Sequence, residues 1–186
     1  QVGANFANDY YDHLKGADDE RQLAPARAVA SGLIPARTMC MAAYLTLAIG
    51  FALGLFLMKI SGAGWPLLAV GVASVISAVC YTAGPFALAY VGLGDVFVVF
   101  FFGLVATGAT HYVLVAHCGL ELVPSWWSGL SAGLVVNNLL VVNNHRDADE
   151  DSTNGKRTLV VRLGRKFGVW LYLGGSFIAL ACCPWL

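Results

Sequence analysis

Two blocks rich in carboxylate and basic side chains interrupt an otherwise apolar chain, and their residue types suit a metal ion bound together with an anion. The first block runs from Asn5 to Asp19 and the second from Asn143 to Gly164. Carboxylate and amide oxygens favour hard cations, above all Mg²⁺. The lysines and arginines of the same blocks supply the positive charge that phosphate groups require. The two blocks therefore predict a site for a diphosphate complexed with magnesium.

The spacing of the polar residues places them on shared helix faces. Four residues of the first block fall at i, i+3, i+4 and i+7, namely Asn5, Asn8, Asp9 and Asp12. Asp147 and Asp151 are four residues apart, so they project to the same side if the preceding helix continues through them. Metal ions between the blocks would offset the repulsion between carboxylate and phosphate oxygens, about 4 kcal/mol per close contact near a surface.

The rest of the chain has the composition of an integral membrane protein. Of its 186 residues, 58% are hydrophobic and 12% are charged, which is about half the charged fraction of a typical soluble domain. The formal net charge is zero, so no general attraction to nucleic acid is implied. The five cysteines are an odd number and lie in or beside apolar runs, which excludes a complete disulfide framework. We expect a lipid bilayer, and no nucleic acid, among the partners.

Five apolar segments are long enough, at about 1.5 Å per residue, to cross a membrane core of roughly 30 Å. They are Thr38–Met58, Trp65–Thr82, Asp95–His117, Ser125–Asn144 and Phe167–Leu186. Residues 1–14 predict the end of a further helix, and the loop from Lys15 to Arg37 predicts one short helix near Arg27. The chain starts and stops inside helical sequence. We therefore expect residues 1–186 to be one membrane domain that is incomplete at both termini.

Loop charges predict the orientation of these spans. If the five segments alternate across the membrane, ten of the eleven lysines and arginines lie on one side and only Lys59 lies opposite. Basic residues concentrate on the cytoplasmic side of membrane proteins. Both polar blocks are then cytoplasmic, in a bacterial-type inner membrane. Four carboxylates at the bilayer centre would cost on the order of 10 kcal/mol, so we expect them to line a cavity that opens to the cytoplasm.

Several features have more than one interpretation. Acidic and basic clusters beside membrane spans are usually solvated loops, but two clusters on one side favour a site. Asn137 and Asn138 suit either interhelical hydrogen bonds or ligand binding, and Tyr81 and Tyr90 suit either substrate contact or an interfacial belt. A transporter with intramembrane carboxylates would place them near the bilayer centre with access from both sides. A CDP-alcohol phosphotransferase would carry Asp-x-x-Asp-Gly-x-x-Ala-Arg, which is absent.

The motifs in these blocks resemble those of one family. They are Asn8-Asp9-Tyr10-Tyr11-Asp12 with Lys15-Gly16-Ala17-Asp18, Asn143-Asn144-His145-Arg146-Asp147 through Asp151, and Gly155-Lys-Arg-Thr-Leu-Val-Val-Arg-Leu-Gly164. The stretches Tyr81–Pro85 and Tyr90–Asp95 also match. The chain resembles the UbiA-type membrane prenyltransferase superfamily, and within it the 1,4-dihydroxy-2-naphthoate polyprenyltransferases of menaquinone synthesis.

The resemblance implies an all-α, polytopic transmembrane bundle of nine helices around a central cavity, of which this chain is the middle part. It implies Mg²⁺-dependent transfer of a polyprenyl group from polyprenyl diphosphate to an aromatic ring, with two ions bridging the diphosphate. Carried over by position, the metal ligands and catalytic carboxylates are Asn8, Asp9, Asp12, Asp18, Asp147 and Asp151. The residues that bind the diphosphate are Asn8, Lys15, Arg146, Lys156 and Arg162.

The chain departs from the superfamily at two positions. Gly16 stands where many members have another Asp, and Pro85 stands where many have the lysine of Tyr-x-x-x-Lys after Tyr81. The second departure favours 1,4-dihydroxy-2-naphthoate as the acceptor, with release of its carboxylate and formation of demethylmenaquinone. 4-Hydroxybenzoate and homogentisate are the alternative acceptors.

Overall fold

The computed structural model describes residues 1–17, 25–123 and 126–183, and every regular element in these ranges is a helix. There are eight within them. They are α1 (Val2–Leu14), α2 (Ala36–Ser61), α3 (Trp65–Cys80), α4 (Gly94–Cys118), α5 (Trp126–Arg146), α6 (Ala148–Thr153), α7 (Leu159–Leu163) and α8 (Arg165–Cys182). The predicted all-α fold is confirmed, and four of the five predicted spans are helical over their described residues, while in Trp65–Thr82 the helix ends at Cys80.

Helices α2 and α4 are, within the described ranges, the two that are long and apolar enough to cross a membrane, and α3 is a shorter apolar helix. Only 6% of the most apolar window of α2 and 17% of that of α4 is buried inside the protein. Apolar helices that stay this exposed suit contact with lipid rather than with a soluble core. The protein is integral to the membrane.

Helix α5 packs most extensively against α4 and α8. Small residues permit the contact with α4, because a Cβ atom added to Gly103 would collide with the backbone of Gly129 and Gly133. Two backbones that approach this closely leave room only for glycine. Toward α8, the side chain of Asn138 donates a hydrogen bond to the hydroxyl group of Ser176 at 2.8 Å. The interpretation of Asn138 as an interhelical hydrogen-bonding residue is therefore confirmed.

Helix α4 contains a π-helical segment, Val99–Val105. The backbone N–H of Ala106 donates to the carbonyl oxygen of Phe101, five residues earlier. Gly103, which contacts α5, lies within this segment. Single π turns inside α-helices occur often beside functional sites, and here the segment begins four residues after the buried Asp95.

The loop before α2 forms turns rather than the short helix predicted near Arg27, so that prediction is wrong over residues 25–35. One turn is closed by the N–H of Ser31, which donates to the carbonyl oxygen of Arg27 at 2.9 Å. Gly32 then takes a positive φ of 75°, and Pro35 immediately precedes α2. A left-handed glycine and a proline stop the turn from extending into a helix.

Candidate functional site

The first polar block begins on α1, where Asp9 binds the loop before α2. Its carboxylate accepts hydrogen bonds from the backbone N–H groups of Ala28 at 3.2 Å and Val29 at 3.3 Å. The side chain is buried, so these two donors satisfy oxygens that would otherwise be left without water. In this structure Asp9 holds the loop against α1.

Asp12 lies one turn further along α1 and points toward the connection between α3 and α4, residues 81–93. The hydroxyl group of Tyr90 donates a hydrogen bond to Asp12 Oδ1 at 2.8 Å. On the other oxygen, Arg27 Nη2 lies 3.8 Å from Asp12 Oδ2. Asn8 faces the same connection, because its Oδ1 accepts a hydrogen bond from the hydroxyl group of Thr82 at 3.0 Å. Asn8, Asp9 and Asp12 of the predicted polar face are therefore turned into the protein, whereas Asn5 is exposed.

Lys15 follows α1 and is held by the same connection. Its Nζ donates to the carbonyl oxygen of Thr82 at 2.5 Å and lies 4.0 Å from the centroid of the Tyr90 ring. Partial burial lowers the pKa of Lys15, the charge of Lys156 lowers it further, and Asp12 opposes both. The two lysines, one from each polar block, are thus close enough to repel each other.

The second polar block bends where α5 ends. The helix does not continue unbroken through Asp147, which lies between α5 and α6, so the condition under which Asp147 and Asp151 would share one helix face is not met. The backbone hydrogen bonds nevertheless keep their spacing of four residues, from Asp147 N to Asn143 O at 2.9 Å and from Asp151 N to Asp147 O at 2.8 Å. The Asp147 carboxylate accepts two hydrogen bonds from Arg146, one of them at 2.7 Å. Arg146 is therefore paired within its own block.

Asp151 is a buried carboxylate on α6. Burial raises the pKa of Asp151, Asp147 and Asp12 add to the rise, and Lys156 opposes it. Lys156 Nζ lies 3.4 Å from Asp151 Oδ1. Asp151 Oδ2 is buried and has no hydrogen-bond partner within the described residues. A buried carboxylate oxygen without a donor is a position at which a bound cation would supply the missing interaction.

The two polar blocks meet, as the sequence predicts. The side-chain amide of Asn154 donates to the carbonyl oxygen of Ala17 at 2.9 Å, and the N–H of Arg157 donates to the carbonyl oxygen of Tyr90 at 3.0 Å. Lys156 Nζ lies 5.8 Å from the centroid of the Tyr90 ring. Tyr90, in the connection between α3 and α4, is therefore contacted by both polar blocks.

One predicted residue, Arg162, lies beside the cluster. The side chain of Arg162 donates from Nε to the carbonyl oxygen of Arg157 at 3.1 Å and lies against Gly92, beside the cluster rather than in it. Gly92 has a positive φ of 78°, and a Cβ atom added to it would lie 2.9 Å from the carbonyl oxygen of Arg157, so no side chain fits there. Asp18 lies outside the described residues.

A second polar layer adjoins the site, formed by Tyr81, Asp95 and Asn137. The buried side-chain amide of Asn137 donates to Asp95 Oδ1 at 3.2 Å, so Asn137 also makes an interhelical hydrogen bond. Burial raises the pKa of Tyr81, and the charges of Asp95, Asp12 and Asp151 add to the effect. Tyr81 is therefore the member of this layer that is close enough to feel the charges of Asp12 and Asp151, one from each block. Sequence reasoning missed Asp95 as a member, although a carboxylate at the start of an apolar span was a usable signal.

The carboxylates fit magnesium in their chemistry. Across the described ranges no three His, Cys, Asp or Glu side chains converge closely enough to form a protein-only metal site. Mg²⁺ typically takes one or two protein carboxylates and completes its shell with water and phosphate oxygens. Asp12 and Asp147 both act electrostatically on Asp151, and Asp151 offers the unpartnered oxygen. These residues fit Mg²⁺ held jointly with a diphosphate.

Comparison with known proteins gives a consistent result. The model of the family described as "UbiA prenyltransferase family" matches residues 1–186. Three similar curated proteins carry the name 1,4-dihydroxy-2-naphthoate octaprenyltransferase. The protein from Haemophilus influenzae is 37% identical over 88% of this chain and 54% of its own length. The protein from Mycobacterium tuberculosis is 36% identical over 99% and 63%, and that from Escherichia coli is 36% identical over 97% and 60%.

The chain spans between 54% and 63% of the length of these three relatives. No solved structure matches it.

Proposed function

This chain belongs to the UbiA prenyltransferase family, and from that premise we propose that the protein transfers a polyprenyl group from polyprenyl diphosphate to 1,4-dihydroxy-2-naphthoate. The names of its relatives support this acceptor. One observation carries the proposal beyond the names. Two polar blocks more than a hundred residues apart converge on Tyr90 and bring carboxylates and two lysine ammonium groups together.

The site residues fall into two groups, those that would hold Mg²⁺ and those that would contact the diphosphate. Two sets of oxygens would hold Mg²⁺: Asn8, Asp9, Asp12 and Asp18 from the first block, and Asp147 and Asp151 from the second. When bound, Mg²⁺ neutralises charge on the diphosphate and makes it a better leaving group. The basic side chains that would contact the diphosphate are Lys15, Arg146 and Lys156, and also Arg162 if its side chain turns into the cluster from the Arg157 carbonyl oxygen. Asp9 and Arg146 would first have to release the partners that they have in this structure.

The proposed reaction is balanced without a further reactant. The bond between the prenyl C1 atom and its oxygen breaks, and the electron pair leaves with the diphosphate. The ring carbon that bears the carboxylate forms a bond to C1. Carbon dioxide then departs, and the electrons of its bond restore the aromatic ring. The product is the hydroquinone form of demethylmenaquinone. Lys15 and Lys156 would stabilise the negative charge that develops on the departing diphosphate.

Lys15 also accounts for the lysine that many relatives carry four residues after the position of Tyr81. Pro85 occupies that position here. The ammonium group of Lys15 lies 2.5 Å from the carbonyl oxygen of Thr82, the residue after Tyr81. We assign to Lys15 the role of that missing lysine, because its charge reaches the same loop from the first polar block.

The orientation follows from the loop charges. Ten of the eleven basic residues lie on the side of the two polar blocks if the spans alternate. We propose that this side is cytoplasmic, so that the diphosphate is bound from the cytoplasm while the prenyl tail lies among the apolar helices. Residues 1–186 would then form part of a single membrane prenyltransferase domain.

The acceptor is tested by assaying the full-length protein with 1,4-dihydroxy-2-naphthoate, 4-hydroxybenzoate and homogentisate. Each assay contains the same polyprenyl diphosphate and Mg²⁺. Prenylation of the naphthoate, with stoichiometric release of carbon dioxide, is the expected outcome. Prenylation of 4-hydroxybenzoate alone would overturn the naphthoate assignment while retaining the family reaction. Adding EDTA should stop transfer.

A further inference from the structure

Tyr90 differs from the other side chains of the site because it contacts both polar blocks through different atoms. Its hydroxyl group donates to Asp12 at 2.8 Å, and its carbonyl oxygen accepts from the N–H of Arg157 at 3.0 Å. The face of its ring lies 4.0 Å from Lys15 Nζ and 5.8 Å from Lys156 Nζ. One residue of the α3–α4 connection thus contacts an acid and two bases that come from opposite ends of the chain.

An aromatic ring suits two lysines that must later bind a phosphate group. The negative face of the ring attracts an ammonium group without cancelling its formal charge. A carboxylate in the same place would bind each lysine more strongly and would repel the incoming anion. The ring therefore holds the ammonium groups in position while leaving their charge available.

The two ammonium groups repel each other, so they require such a partner. The charge of Lys156 acts on Lys15 to disfavour its protonated form. Without the ring, each flexible lysine side chain would relieve this repulsion by moving apart into solvent. Lys156 is additionally paired with Asp151 at 3.4 Å, whereas Lys15 is held by the Thr82 carbonyl oxygen and the ring.

We propose that Tyr90 is a positioning residue of the diphosphate site, with two separable functions. Its ring holds the ammonium groups of Lys15 and Lys156 where a diphosphate is bound. Its hydroxyl group orients the carboxylate of Asp12 toward the metal that accompanies the diphosphate. The inference rests on the proposed function in so far as the substrate is a diphosphate, and it assigns no role to Tyr90 in making or breaking a bond.

Two substitutions separate the functions. Tyr90→Leu keeps bulk and removes the ring face, so it should weaken the binding of inorganic pyrophosphate without Mg²⁺ by about 3- to 10-fold. Tyr90→Phe keeps the ring and removes the hydroxyl group. It should leave Mg²⁺-free binding within about twofold and raise the Mg²⁺ concentration that half-saturates the pyrophosphate complex by about 3- to 10-fold. Tyr90→Trp, which retains a ring face, should restore the Mg²⁺-free affinity.

The measurements are made by titration calorimetry on the full-length protein in lipid nanodiscs, with EDTA or with graded Mg²⁺. Tyr112→Phe is the matched control. Tyr112 lies in the second half of α4, away from the polar blocks, and its hydroxyl group donates to the carbonyl oxygen of Ala63 at 2.5 Å. Tyr90→Phe and Tyr112→Phe therefore each lose one tyrosine hydrogen bond. The control should change neither the pyrophosphate affinity nor its dependence on Mg²⁺.

Each outcome bears on one assignment. Equal Mg²⁺-free affinities in Tyr90→Leu and the wild type would overturn the function of the ring. An unchanged Mg²⁺ requirement in Tyr90→Phe would overturn the function of the hydroxyl group. Ring-dependent binding in a protein that prenylates no aromatic acceptor would support this inference and contradict the proposed function. Prenylation by a protein whose pyrophosphate affinity does not depend on residue 90 would support the proposed function and contradict this inference.

Discussion

The side-chain amide of Asn154 donates a hydrogen bond to the backbone carbonyl oxygen of Ala17 at 2.9 Å, although 137 positions separate the two residues. The N–H of Arg157 adds a second link, to the carbonyl oxygen of Tyr90. The second polar block is therefore fastened by its backbone and amide groups to the first block and to the α3–α4 connection. A carboxylate changed in either block should alter one shared site.

Asp147→Asn should reduce prenyl transfer by at least roughly 100-fold, because it removes a negative oxygen ligand while keeping the shape of the side chain. Asp149→Asn is the matched control two residues away. The Asp149 side chain is 86% exposed and pairs with Arg165 on the surface, an interaction of small effect. Initial rates at saturating substrates check both variants in membranes with equal amounts of folded protein. Undiminished turnover in Asp147→Asn would remove this residue from the mechanism.

Asp151→Asn should raise thermal stability at pH 7 in EDTA while abolishing transfer. Burial, aided by Asp147 and Asp12, raises the pKa of Asp151 in the folded protein. The folded state therefore keeps the proton to higher pH than the unfolded chain does, and the ionised carboxylate destabilises the fold above the ordinary pKa of 3.8. We expect a gain of a few degrees in Tm at pH 7 that disappears below about pH 4, where both states are protonated.

Melting curves recorded from below pH 4 up to pH 8 measure this difference. A lower Tm for Asp151→Asn at pH 7 would mean that the pairing with Lys156 outweighs the cost of burial. Saturating Mg²⁺ and pyrophosphate should reverse the order, because the wild-type protein gains stability from a ligand that the variant binds poorly.

Lys15→Arg should extend pyrophosphate binding to higher pH. Burial lowers the pKa of Lys15, and the charge of Lys156 lowers it further. The wild-type ammonium group should therefore lose its proton, and with it affinity for the anion, at a pH below its ordinary 10.5. Arginine remains charged throughout this range. Mg²⁺-free pyrophosphate affinity measured from pH 7 to pH 10.5 should fall earlier in the wild type than in the variant.

Lys59→Arg provides the control for this titration, since Lys59 lies at the end of α2, outside both polar blocks. It should leave the alkaline decline where the wild type has it. An identical decline in Lys15→Arg and the wild type would mean that another group sets the alkaline limit.

Gly103→Ala should destabilise the protein by about 1–3 kcal/mol or more, because the added methyl group collides with the backbone of α5. Gly108→Ala lies on the same helix, where a Cβ atom would meet nothing within 4 Å. It should be neutral or slightly stabilising, since alanine has the higher helix propensity. Denaturation in mixed micelles compares the two. Equal stabilities would show that α4 and α5 can separate without loss.

The helices could be predicted from the sequence because each apolar segment has a length and composition that few other structures accommodate. The convergence of the two polar blocks was also predictable in outline, from the loop charges that place both blocks on one side of the membrane. The individual hydrogen-bond partners of the site residues could not be predicted. The Asp9 carboxylate accepts hydrogen bonds from N–H groups of a loop 19 and 20 residues away. Nothing in the local spacing specifies which loop supplies these donors.

The central position of Tyr90 in the site could not be predicted from the sequence either. A tyrosine near a membrane surface is common for reasons unrelated to any site, so its residue type left two interpretations open. Only the fold brings Lys15 and Lys156 onto one ring. Similarly, the bend at Asp147 interrupts a spacing of four residues that by itself predicts a continuous helix. Tertiary contacts, rather than periodicity, decide both features.

The π-helical segment Val99–Val105 bears on chain length in a part of α4 whose composition is generic. A π turn contains more residues than an α turn, and each residue of an α-helix turns the chain by about 100°. A π turn holds its extra residue within about the same rotation as an α turn, so deleting one residue here would restore an α-helical pitch while the half that carries Asp95 keeps its face relative to the half that carries Tyr112. A one-residue gap should therefore be tolerated better in this segment than elsewhere in α4, and alignments of related chains should place such a gap here.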